Sequence, residues 1–409
     1  MPDQPTSLKR SLSLPLITFY GLGTILGAGV YVLIGKVAGI AGMYAPLAFL
    51  MAAVVAFLTA FSYSELSSRY PFSAGAALYV EKAFSKRWLS TVLGWSVVLT
   101  GIVSAGTMVN GFVGYLNIFV ELPAWFTITV LVIGLGLLAT WGINESVGSA
   151  AVITLVEVFG LIFVLFMAGG SLSELPERSS ELIPPMSRSV WLSIALGAFL
   201  SFYAFIGFED MVNVAEEVKN PSRNLPLSII IALSVATLLY MLIALVSVLA
   251  LPPDLLAGSD APLASVIEHK GGHSPVIIGL ISLFAVVNGA LIQIIMGSRL
   301  VYGMSCRNMA PGLFNEVNHR TRTPIRATIL ITILILVLAL WLPLVTLAKA
   351  TSFIILLVFT LVNLSLCCLK LRRTPSPGGA VNYPILIPVF GSLLCLGLLI
   401  LQVFSGYRR

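Results

Sequence analysis

Charged residues are scarce in this chain. Asp, Glu, Lys and Arg together make up 10% of its 409 residues, whereas 58% of the residues are apolar and the mean hydropathy is +1.01. A water-soluble surface needs about 25–35% charged residues. The composition therefore excludes an ordinary soluble domain and predicts a protein whose surface lies in lipid.

Residues for metal binding, disulfides and catalysis are also rare. The chain has three histidines and four cysteines, and the cysteines show no metal-ligand spacing. Neither a Ser-His-Asp set nor a paired-carboxylate arrangement is evident, and the phosphate-binding pattern G-x-x-x-x-G-K-[ST] is missing. These absences argue against an enzyme, a bound metal or cofactor, and a nucleotide-driven machine.

Long hydrophobic runs dominate what is present. A membrane-spanning helix needs about 20 mostly apolar residues. The opening thirteen residues contain no apolar core before a small-residue cleavage site, so we expect the first run to be the insertion signal. The sequence predicts eleven spans, at residues 14–38, 43–66, 88–116, 123–141, 147–170, 190–215, 225–250, 275–304, 326–343, 346–369 and 383–404.

The net charge of +6 follows the membrane topology, so nucleic acid is not needed to explain it. With a cytoplasmic N-terminus, 16 of the 23 Lys and Arg residues fall on the cytoplasmic side of the predicted spans. This bias is the positive-inside pattern. It predicts a multi-pass protein of the plasma (inner) membrane with its N-terminus in the cytoplasm.

Two spans are interrupted at their centres. Four glycines crowd the middle of the segment 17–35, where each lowers helix propensity by roughly 1 kcal/mol. In the segment 193–217, Gly207 precedes Glu209 and Asp210. Unpaired backbone at bilayer depth is tolerated only where it is buried in protein or lines a cavity. A pair of broken helices therefore predicts a substrate site.

The position of the two breaks also predicts the organisation of the chain. Each break opens a group of five spans, at 14–170 and at 190–370, and an odd number of spans turns the second group upside down. This arrangement is typical of an inverted repeat. We expect one transmembrane domain over residues 1–409, all-α, with a 5+5 repeat, discontinuous spans 1 and 6, and an extra span at 383–404.

Several motifs resemble a known family over nearly the whole chain. They are "GLGTILGAGVYVLIG", "YSELSSRYPFSAGAALYVEKAF", "FYAFIGFEDMVNVAEEVKNPSRNLP" and "SRLVYGMSCRNMAPGLFNEVNHRTRTPIRA". Together they resemble the amino acid-polyamine-organocation superfamily of permeases. The resemblance implies a LeuT-type fold and an amino acid substrate. It also shows two departures: members commonly have twelve or more spans, and Glu157 stands where many proton-coupled members have a lysine.

The breaks offer backbone groups to both ends of an amino acid. The half-helix after Gly27-Ala28-Gly29 points free N–H groups and a positive dipole end at a carboxylate. Glycine lets the ligand approach the backbone closely. We expect the ammonium to bind carbonyls freed at the breaks, from Thr24, Ile25, Phe205, Ile206 and Gly207. Tight helix packing through small residues is the alternative interpretation of the glycines.

Residues facing the gap should select the side chain of the substrate. The candidates are Phe202, Phe205 and Phe208 on the sixth span and Thr107 and Met108 on the third, which together suggest an apolar pocket. Ordinary core packing explains each of them equally well.

Ionisable groups inside a membrane are costly, and each is a functional candidate. Glu157 lies in an apolar run, where desolvation favours its neutral form, so it is a candidate carrier of a coupling proton or else a structural glutamate. Glu209 and Asp210 could bind a cation or a proton, or could pair with basic loop residues. Glu65 and Arg69, four residues apart, are a candidate gating ion pair or a helix-end feature.

The function that these patterns favour is secondary active transport of amino acids by alternating access. Proton-coupled symport and exchange both stay open, and so do the identity of the substrate, sodium coupling and the oligomeric state. The alternative is a transport-inactive amino acid sensor or assembly subunit with the same fold. A channel is disfavoured because the polar residues cluster near two breaks and do not line a continuous pore.

Overall fold

The structure is a computed structural model that describes residues 10–27, 29–72, 75–141, 147–271, 275–318, 320–377 and 379–406. This part of the chain is helical and contains no strand, although an isolated backbone bridge joins Leu12 to Val218. The α-helices are α1 Leu14–Leu26, α2 Gly29–Ala41, α3 Ala45–Arg69, α4 Gly75–Phe84, α5 Arg87–Leu116, α6 Ala124–Trp141, α7 Val147–Ala168, α8 Leu175–Arg178, α9 Arg188–Ser201, α10 Pro221–Ala250, α11 Pro253–Gly258, α12 Pro262–Gly271, α13 Val276–Cys306, α14 Ile325–Trp341, α15 Leu344–Leu371 and α16 Leu386–Gly406.

The helices confirm an all-α polytopic membrane protein. Nine segments of the described chain are long and apolar enough to cross a bilayer, and one of them, Leu14–Arg69, comprises α1, α2 and α3. α14 is equally apolar but has 17 residues. Every predicted span therefore coincides with helix, whereas α4, α8, α11 and α12 lie between the predicted spans. The inverted repeat stays a prediction.

Both predicted interruptions are present. α1 ends at Leu26, and Gly27 leaves helical geometry with φ 13° and ψ −143° before α2 begins at Gly29. Beyond α9 the chain tightens into a 3₁₀ turn at Phe202–Phe205, becomes extended at Ile206, and reverses at Gly207 with φ +126°. A second 3₁₀ segment, Phe208–Glu217, follows. The sixth span is therefore broken more extensively than its glycine content predicts.

Two groups of helices enclose the breaks. α1 packs against α7 and α10, and α2 packs against α9 and α11. On the other side, α5 packs against α13 and α15. The breaks thus lie in the protein interior and not at the lipid-facing surface, which satisfies the rule for irregular backbone at membrane depth.

The last helix, α16, is held by a buried polar network. Asn363 on α15 accepts a hydrogen bond from Ser62 (2.6 Å) and donates one to Thr59 (3.0 Å), both on α3. α16 approaches so closely that a Cβ added to Gly391 would lie 2.8 Å from the Asn363 side-chain oxygen. Hydrogen bonds and close backbone approach are what hold helices together in lipid.

We expect Asn363→Ala to destabilise the protein by about 1–3 kcal/mol, because Ser62 and Thr59 lose their shared partner in a buried site. Thermal unfolding of the detergent-solubilised protein measures the change. Asn315→Ala, at an exposed asparagine, is the matched control. Equal melting temperatures for the two variants would contradict this role of the network.

Candidate functional site

The two breaks touch each other. Gly207 lies against the backbone of Thr24, and a Cβ on Gly207 would sit well inside van der Waals contact with the Thr24 carbonyl. The Thr24 hydroxyl is 2.9 Å from the Gly21 carbonyl oxygen and 3.0 Å from that of Gly207. Gly29 packs equally tightly, since a Cβ there would lie 2.6 Å from the Cα of Ala204. Of the glycine motif, Ala28 lies outside the described residues.

Side chains already form hydrogen bonds to some of the backbone groups that the breaks leave without helical partners. Tyr240 on α10 donates its hydroxyl to the Ile25 carbonyl at 2.7 Å. Glu209 accepts the Gly207 N–H at 2.8 Å. A carbonyl oxygen has a second lone pair, so the Ile25 carbonyl keeps the capacity to accept from a ligand. The sequence analysis did not identify Tyr240, whose only signal is one hydroxyl in a long apolar run.

The three candidate phenylalanines lie in aromatic clusters. Phe205 packs edge-on to Tyr240 with ring centroids 5.3 Å apart, and also contacts Phe49. Phe202 and Phe208 both contact Phe359 on α15, with centroids 5.9 and 5.1 Å apart. All three rings are at most 1% exposed. The structure therefore brings the phenylalanines to the breaks but places their rings against α3, α10 and α15.

Met108 is the candidate from the third span that reaches the first break. Its Cε lies 3.9 Å from the point that a Cβ on Gly27 would occupy. Thr107 donates its hydroxyl to Val103 of its own helix at 3.1 Å, so this side chain is satisfied locally. One turn earlier, Ser104 lies within hydrogen-bonding distance of the Tyr203 hydroxyl at 3.0 Å, a contact that the sequence did not predict.

Glu157 is buried on α7 behind the first break. The residue is 1% exposed, and neither carboxyl oxygen has a hydrogen-bond partner among the described residues. The Asn288 amide on α13 is close enough to interact with the carboxyl group, although no contact meets hydrogen-bond geometry. The Tyr31 hydroxyl donates to the Glu157 backbone carbonyl at 2.6 Å. A buried carboxyl group without partners is the kind of group that is neutral or binds a cation.

Glu209 and Asp210 stand at the start of the 3₁₀ segment after the second break. Glu209 is 8% exposed, and its hydrogen bond to Gly207 ties its side chain back to the break. The Asp210 N–H donates to the Gly207 carbonyl at 3.1 Å. In the described part of the chain, no group of three or more His, Cys, Asp or Glu residues is placed to hold a metal ion.

Glu65 forms the predicted ion pair with Arg69, at 2.5 Å, and a second pair that the sequence did not reveal. Lys370 on α15 lies 2.6 Å from the same carboxylate oxygen. The other oxygen accepts the backbone N–H of Tyr383 at 2.9 Å. The Glu65 side chain is fully buried. One carboxylate thus joins α3, α15 and the segment 379–385 that precedes α16, which we call the strap.

Comparison with known proteins places the chain in a family. A family model described as amino acid permease matches residues 12–407, and this match contains both breaks and the Glu65 cluster. The chain belongs to the amino acid permease family. The resemblance stated from its motifs is thereby confirmed, and this permease-family chain is a multi-pass membrane protein.

Similar proteins carry different names. The permease is 30% identical to "Cationic amino acid transporter 4, vacuolar" of Arabidopsis thaliana over 92% of its own length and 65% of that protein. It is 27% identical to "Branched-chain amino acid permease BcaP" and 28% identical to "Methylthioribose transporter", both of Bacillus subtilis, over 88% of each. The permease therefore spans a little under two thirds of the plant relative.

We expect Gly207→Ala to separate the two breaks and so to abolish any amino acid uptake. An alanine is strained at φ +126°, and its Cβ would collide with the backbone of Thr24, which cannot move like a flexible side chain. Uptake is measured together with the amount of protein in the membrane. Gly134→Ala is the control, since nothing lies within 4 Å of a Cβ on this helical glycine. Normal uptake by Gly207→Ala would show that the two breaks need not touch.

Proposed function

We propose that the protein is a secondary active transporter that moves amino acids across the plasma membrane by alternating access, with its N-terminus in the cytoplasm. The observation that carries this proposal is the direct contact between two broken spans at Thr24 and Gly207. Backbone polar groups from both spans meet there inside the protein. Few functions other than ligand binding account for two interrupted helices in one buried place.

The backbone of the breaks binds the part that all amino acids share. The N-terminal end of α2, after Gly27, attracts the carboxylate through its free N–H groups and dipole. Thr24, Ile25, Phe205, Ile206 and Gly207 supply carbonyl oxygens for the ammonium. Ala28 belongs to the same cradle by its sequence position.

Glu157 is our candidate for the coupling site. Its carboxyl group is buried and lacks partners among the described residues, next to Asn288 and beside the helix whose break binds substrate. Protonation removes the large desolvation penalty of a buried charge. A proton that must be taken up before the site closes would couple substrate movement to the proton gradient. Glu209 and Asp210 stay secondary candidates, since Glu209 is already engaged by the Gly207 N–H.

We expect inward proton gradients to stimulate uptake of radiolabelled amino acids into proteoliposomes, and Glu157→Gln to lose this stimulation while it retains exchange of internal for external substrate. Glutamine keeps the size of the side chain but cannot release a proton. Glu121→Gln, at an exposed loop residue, is the control.

Two other outcomes are informative. Uptake that ignores the gradient and requires amino acid inside the vesicle would identify an exchanger and make Glu157 structural. Binding of amino acids without any uptake or exchange would contradict transport and support a sensor.

The Glu65 cluster is our candidate for the cytoplasmic gate. Opening of that side must separate α3 from α15, and this separation breaks the contact between Glu65 and Lys370. The strap is bound to the same carboxylate through the Tyr383 N–H, and Ser68 on α3 accepts the Val381 N–H at 3.1 Å. The buried Glu65 carboxylate therefore contacts α3, α15 and the strap together, so loss of its contacts would loosen all three.

We expect Glu65→Gln to loosen the strap. Loss of a charge-assisted hydrogen bond in a buried site is worth about 1.5–3 kcal/mol, so amide hydrogen exchange of residues 379–385 should rise by about tenfold or more. Mass spectrometry measures the exchange, and Glu81→Gln on the exposed face of α4 is the control. Unchanged exchange in the strap would show that Glu65 does not hold it.

A further inference from the structure

We propose that the permease selects neutral amino acids with aliphatic or thioether side chains, and that Met108 sets the size of the side chain it accepts. This inference rests on the proposed function, because it specifies the substrate of the same site. Three observations carry it: the position of Met108, the absence of acidic residues on α5, α13 and α15, and the engagement of carboxylates near the breaks.

Met108 lies between the first break and α13. Its Cε approaches Gly27, and its Sδ lies 2.9 Å from the point that a Cβ on Gly289 would occupy. Met108 and Ile206 keep 7% and 9% exposure, whereas the neighbouring phenylalanines keep at most 1%. A thioether and an aliphatic side chain therefore form part of the residual surface at the two breaks. Methionine is flexible and polarizable, so it adapts to aliphatic and sulfur-containing groups.

Three of the helices near this surface offer no counter-charge to a cationic side chain. α5, α13 and α15 contain no Asp or Glu over their full lengths. A buried ammonium or guanidinium without a paired carboxylate would be strongly disfavoured. A neutral side chain meets no such penalty.

Three of the carboxylates near the breaks are directed elsewhere, and the fourth, Asp210, is partly exposed beyond the second break. Glu209 accepts the Gly207 N–H, and Glu65 is held by Arg69, Lys370 and the strap. Glu157 interacts with Asn288, whereas the next residue, Gly289, faces Met108. Adjacent residues point about 100° apart around a helix. The Glu157 carboxyl therefore lies on a different side of α13 from Met108.

Competition for uptake tests the substrate class. Radiolabelled leucine is the reporter, and unlabelled leucine, methionine, lysine and arginine are the competitors in proteoliposomes. We expect leucine and methionine to compete at least about tenfold more strongly than lysine and arginine. Direct uptake of lysine with a KM equal to or below that of leucine would overturn the inference but leave amino acid transport intact. Uptake of no amino acid at all would instead overturn the proposed function.

A double-variant cycle tests the role of Met108. Gly289→Ala should push the Met108 side chain toward the break, which raises the KM for leucine while the KM for alanine changes little. Met108→Ala in the same chain should restore the KM for leucine, because the added methyl group then has space. The single variant Met108→Ala should lower the KM for phenylalanine by enlarging the site.

Controls keep the cycle interpretable. Gly134→Ala controls for the added methyl group, because nothing lies within 4 Å of a Cβ at this position. If Gly289→Ala does not reach the membrane, the KM ratio of phenylalanine to alanine in Met108→Ala decides the question. An unchanged ratio, or purely additive effects of the two substitutions, would overturn the role of Met108.

Discussion

The contact between Thr24 and Gly207 is the constraint on which the rest of the structure depends. Lipid offers no hydrogen bonds, so a helix can stop in mid-membrane only where other protein groups or a ligand satisfy its free backbone. Here the Thr24 hydroxyl at the first break lies within hydrogen-bonding distance of the Gly207 carbonyl at the second. Tyr240 and Glu209 form hydrogen bonds to further backbone groups of the breaks. The site can exist because it is enclosed on all sides, and this enclosure explains why both breaks are packed so tightly.

Polar groups in the interior follow the same logic. Asn363 connects α15 to α3, and Glu65 connects the same two helices farther along, together with the strap. Each of these groups is buried and has several partners. Glu157 differs, because no contact of its carboxyl group in the described chain meets hydrogen-bond geometry, although the Asn288 amide lies close to it. Among the buried carboxylates of the described chain, Glu65 and Glu209 have hydrogen-bond partners and Glu157 has none, so a change in the protonation of Glu157 has a large energetic effect.

Much of the fold could be predicted from the sequence because its strongest signals are local. Long apolar runs define the spans, and the glycines around Gly27 together with Gly207 define the breaks. The pair of Glu65 and Arg69 was also predictable, since i and i+4 residues share a helix face. Lys370 and Tyr383 were not, because they join Glu65 across some 300 residues of chain. The phenylalanines show a second limit of prediction from the sequence. Their sequence positions place them at a break but do not show in which direction their rings point.

Each end of the broken first span is tied to a distant segment by a few polar contacts. At one end, Lys36 on α2 donates to the carbonyls of Ala257 and Ser259, at 2.8 and 3.2 Å. At the other end, Leu12 exchanges two backbone hydrogen bonds with the chain around Val218, at 2.9 and 2.8 Å. Hydrogen bonds contribute about 0.5–1.5 kcal/mol each to stability, so either set of contacts stabilises the observed arrangement by only a few kcal/mol. A ligand that binds one conformation better than the other by a few kcal/mol is sufficient to shift the equilibrium between the two conformations. This shift is the energetic requirement of the alternating access that we propose.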